Sequence, residues 1–464
     1  MNVLPIGEAR FGTTAPVVIA GGGGTGLTAA LAARAAGADV VVLERHPVPL
    51  GNTSMSSGLI PGPGSALQKA AGVEDSPERM YEDIMALTAG QADPVVTRVC
   101  AEQGAPTLEW LANTFGLPLE FAPNWEALGH SRSRLHRIPG GAGDDLMRHL
   151  ATVAERSGVT ILTDAHATHL FAHADGHVAG ARFVRPDGTR EDVACRALVL
   201  ATSGFGGNID MVRRYMPEIA EAVYYGWEHN RGDAVVWGRA LGAAVRHMDA
   251  YQGFPALADP HRISLHFEGI VAGGIQVNAL GERFYDEADS PSPAGLQVLR
   301  QPGRVAYVIY GQAQYDVAMT RKRTKVADEL GAIKHAASID ELAAKLGLPA
   351  PPLRAAIEET EHLGARGEAD RFGRRFARDQ RMRPPFHGIR VVAAYYHTQG
   401  GLVVDADARV LGENGVPLPN LYAGGGAACG ISGPGCRGYL PGNGLLTALV
   451  LGRLAGQSAA RQAT

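Results

Sequence analysis

"PVVIAGGGGTGLTAALAARAAGADVVVLER", Pro16 to Arg45, reads as strand, glycine turn, helix, strand. Val17 to Ala20 is a short apolar run suited to a buried strand, the alanine-rich stretch that follows carries apolar residues at helical spacing, and Asp39 to Leu43 is a second strand. Gly21, Gly23 and Gly26 satisfy GxGxxG between strand and helix, and Glu44 closes the second strand eighteen residues later. Each part has a task in a dinucleotide site. Gly21 permits the tight turn, Gly23 lets backbone N–H groups approach a pyrophosphate, Gly26 allows helix to pack closely on strand, and Glu44 can accept from a ribose diol. The helix N-terminus then faces the phosphate charge.

The chain is 464 residues long and 45% hydrophobic, ample material for two to four domains with sizeable cores. Lys and Arg number 43 against 47 Asp and Glu, a formal net charge of -4, which lacks the basicity that nucleic acid demands of a partner. Cys100, Cys195, Cys429 and Cys436 form neither a CxxC pair nor a disulfide framework and suit a reducing cytoplasm. No basic-then-apolar leader opens the sequence, and the longest apolar stretch, Leu27 to Leu43, is broken by Arg34 and Asp39, so neither a signal peptide nor a membrane span is expected. No second GxGxxG occurs in strand-turn-helix context, so a dedicated NAD(P)H domain is not expected either.

Directly after the acidic strand comes "GNTSMSSG", Gly51 to Gly58. Further on stand "GHSRSRLHRIPGGAG" (Gly129 to Gly143), "LVLATSGFGGN" (Leu198 to Asn208), "RGDAVVWGRALGA" (Arg231 to Ala243), "IQVNALGERFYDE" (Ile275 to Glu287), "ADRFGRR" (Ala369 to Arg375), "YYHTQGGLVVD" (Tyr395 to Asp405) and "NLYAGGG" (Asn420 to Gly426). In this order the segments resemble the fumarate reductase/succinate dehydrogenase flavoprotein family along nearly the whole chain. The resemblance implies an α/β fold: a Rossmann-like FAD domain of glutathione-reductase type, residues 1–248 plus 397–464, with an inserted α+β substrate cap at 249–396. From about 321 to 383 the composition is helical and heavily charged, with alternating signs that suit a solvated face.

The same resemblance implies which residues hold FAD. Thr25 and Arg45 join the glycines and Glu44 at the dinucleotide turn, and Asn52, Thr53, Ser54, Ser57 and Gly58 form the second motif, lining pyrophosphate and flavin. Ala165, Ser203, Gly204, Asp233 and Gly426 come from the later segments, while Gly444 and Leu445 offer N–H groups to the flavin pyrimidine edge. Members that bind FAD covalently use a His-Thr pair where this chain has Asn52-Thr53, so noncovalent FAD is expected.

Three positions that handle dicarboxylates in fumarate reductases have no charge here. The loop arginine falls at Tyr439 in "RGYLPGNGLL", the proton-delivering arginine at Pro291, and the cap histidine at Phe254. A tyrosine in this loop resembles the 3-ketosteroid 1-dehydrogenase branch, in which a phenol and a backbone N–H polarise a ketone. Tyr439 with an N–H near Asn443 would do the same, and a neutral phenol suits a neutral ketone because a buried guanidinium without an anion is costly. The catalytic tyrosines of that branch are missing: "ADSPSPAG" (Ala288 to Gly295) has none, and Phe121 takes the other position. The α-proton base therefore stays open between His397 and His130, with Tyr251, Tyr285, Tyr395 and Tyr396 as outside candidates.

The expectation is an FAD-dependent dehydrogenase that desaturates a ketone at its α,β bond, acting on a small carbonyl compound. Electrons would leave to a quinone, an electron-transfer protein or dioxygen. One alternative is an ene-type reductase or dehydrogenase of a carboxylate, with Arg437 and His397 as anion clamp. Another is a flavin-binding electron carrier without a substrate of its own.

Overall fold

A computed structural model describes residues 2–123 and 129–463. The chain divides into two compact units, one made of Met1–Met216, Gly226–Tyr251 and His397–Thr464, the other of Pro217–Tyr225 and Gln252–Tyr396. Among the described residues no helix is long and apolar enough to cross a membrane.

The first unit is built on a nine-stranded sheet. Its heart is parallel: Phe11–Ala20 lies between Val40–Leu43 and Arg190–Leu200, Thr160–Leu162 extends one side, and Pro417–Ala423 pairs with the end of Arg190–Leu200 on the other. Val17, Val18, Ile19, Ala20, Val42 and Leu198 to Leu200 are fully buried, as continuous apolar runs require when helices cover both faces. The first strand begins at Phe11, well before the apolar run, because its exposed first residues pair with Asp192–Cys195. The antiparallel strands His166–Ala172 and Val178–Val184 continue the sheet. Ala20, Leu43, Leu200 and Ala423 all end at one edge, and there the glycine-rich segments emerge. Ligands of open α/β sheets gather at such carboxyl ends.

Two helices cross this edge together. Gly24–Ala35 follows the glycine turn, and Asn443–Ala463 packs on it through a seam of small residues. A Cβ on Gly452 would stand 2.6 Å from the Thr25 carbonyl oxygen, and one on Gly456 only 2.0 Å from that of Ala29. Glycines four apart on one face therefore let the backbones approach more closely than any side chain would allow.

The second unit centres on a mixed sheet in the order Ile263–Ser264, Tyr251–Ala258, Phe386–Thr398, Val305–Tyr310, Ile275–Val277, with Val223–Tyr224 and Ile333–Ala336 also paired to the long strand. The charged stretch 321–383 is helical only in part. Lys322–Glu329, Ile339–Leu346 and Ala350–Arg366 are helices, Ile333–Ala336 is a strand, and the last helix stops at Gly367, whose φ of +69° makes a left-handed cap. Beyond it the arginines are not all solvated. Arg283 donates two bonds of 2.7 Å to Glu287 and pairs with Asp370 at 2.7 Å, while Arg374 reaches Glu287 at 2.8 Å, all of them buried. Two motifs distant in sequence, "RFYDE" and "DRFGR", thus share one buried cluster of two cations and two anions.

Candidate active site

The glycine turn keeps its shape through contacts that exclude a side chain. Gly21 has φ +104°, and a Cβ there would lie 2.4 Å from the Ala201 carbonyl; at Gly26 a Cβ would lie 1.9 Å from the carbonyl of Gly21. Gly23 differs, since its Cβ would meet nothing nearer than the Leu50 carbonyl at 3.8 Å. The space in front of it is open, as an approaching pyrophosphate requires. Glu44 is 4% exposed, with one carboxylate oxygen accepting from the Gly22 N–H and the other from the His46 N–H, both at 2.9 Å. Burial raises its pKa, and those N–H groups together with Arg45 pull it back down. Each oxygen keeps a lone pair for a ribose hydroxyl.

The second motif folds against this turn as the short helix Asn52–Met55. A Cβ on Gly24 would touch the Thr53 hydroxyl at 2.7 Å, Ser54 Oγ donates to the Gly51 carbonyl, and Asn52 Oδ1 accepts from the Trp227 N–H at 2.6 Å. Gly58, at φ +71°, abuts Ala142, whereas Ser57 is exposed. The Ala165 N–H bonds to the Glu44 carbonyl at 2.8 Å, bringing the residue to the ribose end. Arg45 contacts His166; burial lowers its pKa, and the half-buried Asp233 carboxylate opposes that shift. Thr25 is enclosed by Gly424 and Gly425. Ser203 holds a φ of +63°, Gly204 packs on the Thr398 hydroxyl, and a Cβ on Gly426 would reach the Gly204 nitrogen at 2.8 Å. The non-glycine left-handed backbone at Ser203 marks a place where structure is held under constraint.

At the other end stands the turn that carries Tyr439. Gly442, at φ +86°, directs the chain into the helix beginning at Asn443. The Asn443 N–H is taken by the Leu440 carbonyl at 3.0 Å, and its side-chain amide donates to Gln399 Oε1 at 3.0 Å and Ser432 Oγ at 2.6 Å. Asn443 is thus an anchor, and the free N–H groups of the first helical turn are those of Gly444 and Leu445. His397 packs directly on this opening: a Cβ at Gly444 would lie 3.1 Å from its Cε1, and its ring centre is 6.4 Å from that of Tyr439. His397 Nδ1 is 3.4 Å from the Thr398 carbonyl, a weak bond in which the nitrogen must donate, leaving the Nε2 lone pair free. Burial pulls His397 down to about 4 and pushes the Tyr439 phenol up, so both are neutral at pH 7. No hydrogen bond occupies the Tyr439 hydroxyl among the described residues.

His130 lies close by, with Nε2 2.9 Å from the Pro441 carbonyl. Arg437 is exposed and makes no hydrogen bond or ion pair among the described residues. Gln399, Ser432, Trp227 and Thr398, which orient Asn443, Asn52 and Gly204, carry no spacing signal. They become visible only when the strands fold.

A glycine cradle at the sheet edge, a buried ribose carboxylate and a helix opening beside a neutral phenol and imidazole define a flavoprotein oxidoreductase. Residues 16–445 match the family model described as the FAD binding domain, and the chain belongs to that family. It is 28% identical to the probable fumarate reductase Ifc3 of Shewanella frigidimarina (strain NCIMB 400), over 97% of this chain and 75% of that protein. Among solved structures it resembles the open conformation of a flavocytochrome c3 fumarate reductase, with TM-score 0.85 and 28% identity over 98% of this chain and 79% of that one. It also resembles 3-ketosteroid-delta4-(5alpha)-dehydrogenase from Rhodococcus jostii RHA1 in complex with 4-androstene-3,17-dione, with TM-score 0.78 and 27% identity over 99% and 100% of the two chains. FAD is the cofactor, and the protein is an FAD-dependent dehydrogenase or reductase acting on CH–CH bonds.

Proposed function

We propose that the protein desaturates a ketone between its α and β carbons. FAD, when bound noncovalently through the glycine turn and the Asn52-Thr53 segment, supplies the acceptor for the hydride leaving the β carbon. The Tyr439 hydroxyl donates to the ketone oxygen, and the Gly444 N–H lies at the helix opening beside it. Polarising the carbonyl acidifies the α carbon, and His397 Nε2 takes the α proton. Both electrons of the broken β C–H bond leave with the hydride, those of the α C–H bond form the new C=C, and the imidazolium releases its proton to solvent. A quinone, an electron-transfer protein or dioxygen would serve as the final electron acceptor.

The observation that carries this reading is the neutrality of the wall around the helix opening. Tyr439, His397, Gln399, Ser432 and Asn443 bring no positive charge, and Arg437 is exposed to solvent, so a carboxylate would be desolvated there without a counter-ion. The Nε2 lone pair of His397, left free by the Nδ1 bond to Thr398, faces the helix opening as a proton acceptor. The fumarate reductase relatives favour a second reading, reduction of an activated C=C bond, with Arg437 and His397 holding the activating carboxylate. Anaerobic bleaching of the oxidised-flavin band against cyclic ketones, ketosteroids, keto acids and saturated dicarboxylates tests both. Bleaching by ketones supports desaturation, and bleaching by carboxylates alone overturns it.

A further inference from the structure

The segment 129–137 makes two contacts with the Tyr439 turn. A Cβ on Gly129, which has φ +87°, would meet Leu440 Cδ1 at 2.8 Å. One residue on, His130 Nε2 is 2.9 Å from the Pro441 oxygen, and since a carbonyl only accepts, the proton resides on Nε2. Pro441 is the residue four positions before Leu445, so its carbonyl is the helical acceptor that the Leu445 N–H would otherwise seek. Among the described residues that carbonyl accepts from His130, and the Leu445 N–H makes no backbone hydrogen bond to it.

His130 is itself held firmly. Ser131 donates through both N–H and Oγ to Asp83 Oδ2, at 3.0 and 2.9 Å. The same carboxylate accepts from Arg134 Nη1 at 2.6 Å, and the fully buried Arg134 guanidinium also grips Asp75 through Nε and Nη2, at 2.8 and 3.0 Å. A chain of charge-assisted bonds therefore runs from the buried Asp75–Arg134 pair through Asp83 and Ser131 to the residue that touches Pro441.

We propose that His130 is a positioning residue rather than the α-proton base: its Nε2–H holds the Pro441 carbonyl and so fixes the turn that presents Tyr439 and aims the first-turn N–H groups of the following helix at the flavin and the carbonyl. This inference rests on the desaturase reading for its kinetic arm and on FAD binding alone for its spectroscopic arm. Among the described residues His130 Nδ1 is buried without a hydrogen-bond partner, and the charged groups that act on the ring are Arg134, Asp83 and Asp75.

The test compares His130→Leu with His130→Gln, whose amide N–H can replace the Nε2–H donor. Losing one hydrogen bond is worth roughly tenfold, so His130→Leu should lower kcat for anaerobic flavin reduction about tenfold and shift the visible spectrum of the bound oxidised flavin. His130→Gln should recover most of the rate and the wild-type spectrum, and the acid limb of the pH profile should survive in both. A Gln variant as inactive as the Leu variant, or loss of the acid limb, overturns the proposal in favour of His130 as base. Should His130→Leu fail to fold, the rate and pH profile of His130→Gln decide alone. If no ketone reduces the flavin, the desaturase reading fails, while the spectra of the two variants still decide the role of His130: a shift in Leu reversed in Gln supports it, and no shift overturns it.

Discussion

Replacing Tyr439 by Phe removes a single oxygen. The hydroxyl makes no hydrogen bond within the described protein, so the folded state loses none. Global stability should change by less than about 0.5 kcal/mol, as for a substitution without a packing or hydrogen-bonding cost. FAD affinity should be unchanged too, because the ring still packs near His397 and the Gly444 and Leu445 N–H groups are untouched. The chemical step is different. If Tyr439 supplies one donor to the oxygen on which enolate charge develops, its loss should cost about 3–4 kcal/mol of transition-state stabilisation, a fall in kcat of roughly a hundredfold to a thousandfold. The assay is stopped-flow reduction of bound FAD by a ketone without oxygen, with thermal denaturation and FAD titration alongside. A variant that reduces its flavin within about threefold of the wild-type rate would refute the assignment of Tyr439 as electrophile, and one that melts several degrees lower would show that the hydroxyl has a structural partner.

Three further outcomes follow from the geometry. Gly26→Ala should purify without FAD, since its Cβ would sit 1.9 Å from the Gly21 carbonyl and force helix from strand; a flavin-to-protein absorbance ratio equal to wild type would contradict this. Glu287→Gln should destabilise the protein by about 3–5 kcal/mol in urea unfolding, because the buried Arg283 and Arg374 then both lose the carboxylate they share. Stability should also fall on acidification. His130 is pulled from 6.5 down to about 4 by burial. Above pH 6.5 it is neutral folded or unfolded, but below that the unfolded chain binds a proton the folded chain refuses, costing about 1.4 kcal/mol per pH unit until the pH nears 4. His130→Gln should flatten that slope in denaturant melts from pH 7 to 4.

The dinucleotide turn was legible because its constraints are local. Gly21, Gly26 and Glu44 act within a span of some thirty residues, where strand, turn and helix leave few alternatives. The charged stretch after residue 321 was less so, since "DRFGR" reads as a solvated surface until Asp370 and Arg374 are seen to neutralise Glu287 and Arg283, nearly ninety positions earlier. At Tyr439 the loop residue could be named in advance, but its supports could not. A backbone N–H was expected near Asn443, and that of Asn443 itself is bonded to the Leu440 carbonyl, a detail decided by one left-handed glycine, Gly442, at the helix start. Gln399 and Ser432 reach Asn443 only through sheet pairings that join distant strands, and periodicity carries no trace of such contacts.

The glycine seam between Gly24–Ala35 and Asn443–Ala463 sets the order in which the holoprotein is made. The phosphate-binding turn leaves the ribosome about four hundred residues ahead of the helix against which Thr25 and Ala29 close. A nascent chain can fold its first βαβ unit early, but it offers FAD only half a site until residue 463 has emerged. Cofactor capture therefore waits for that second helix, and a chain interrupted before Asn443 remains colourless however well its front half folds.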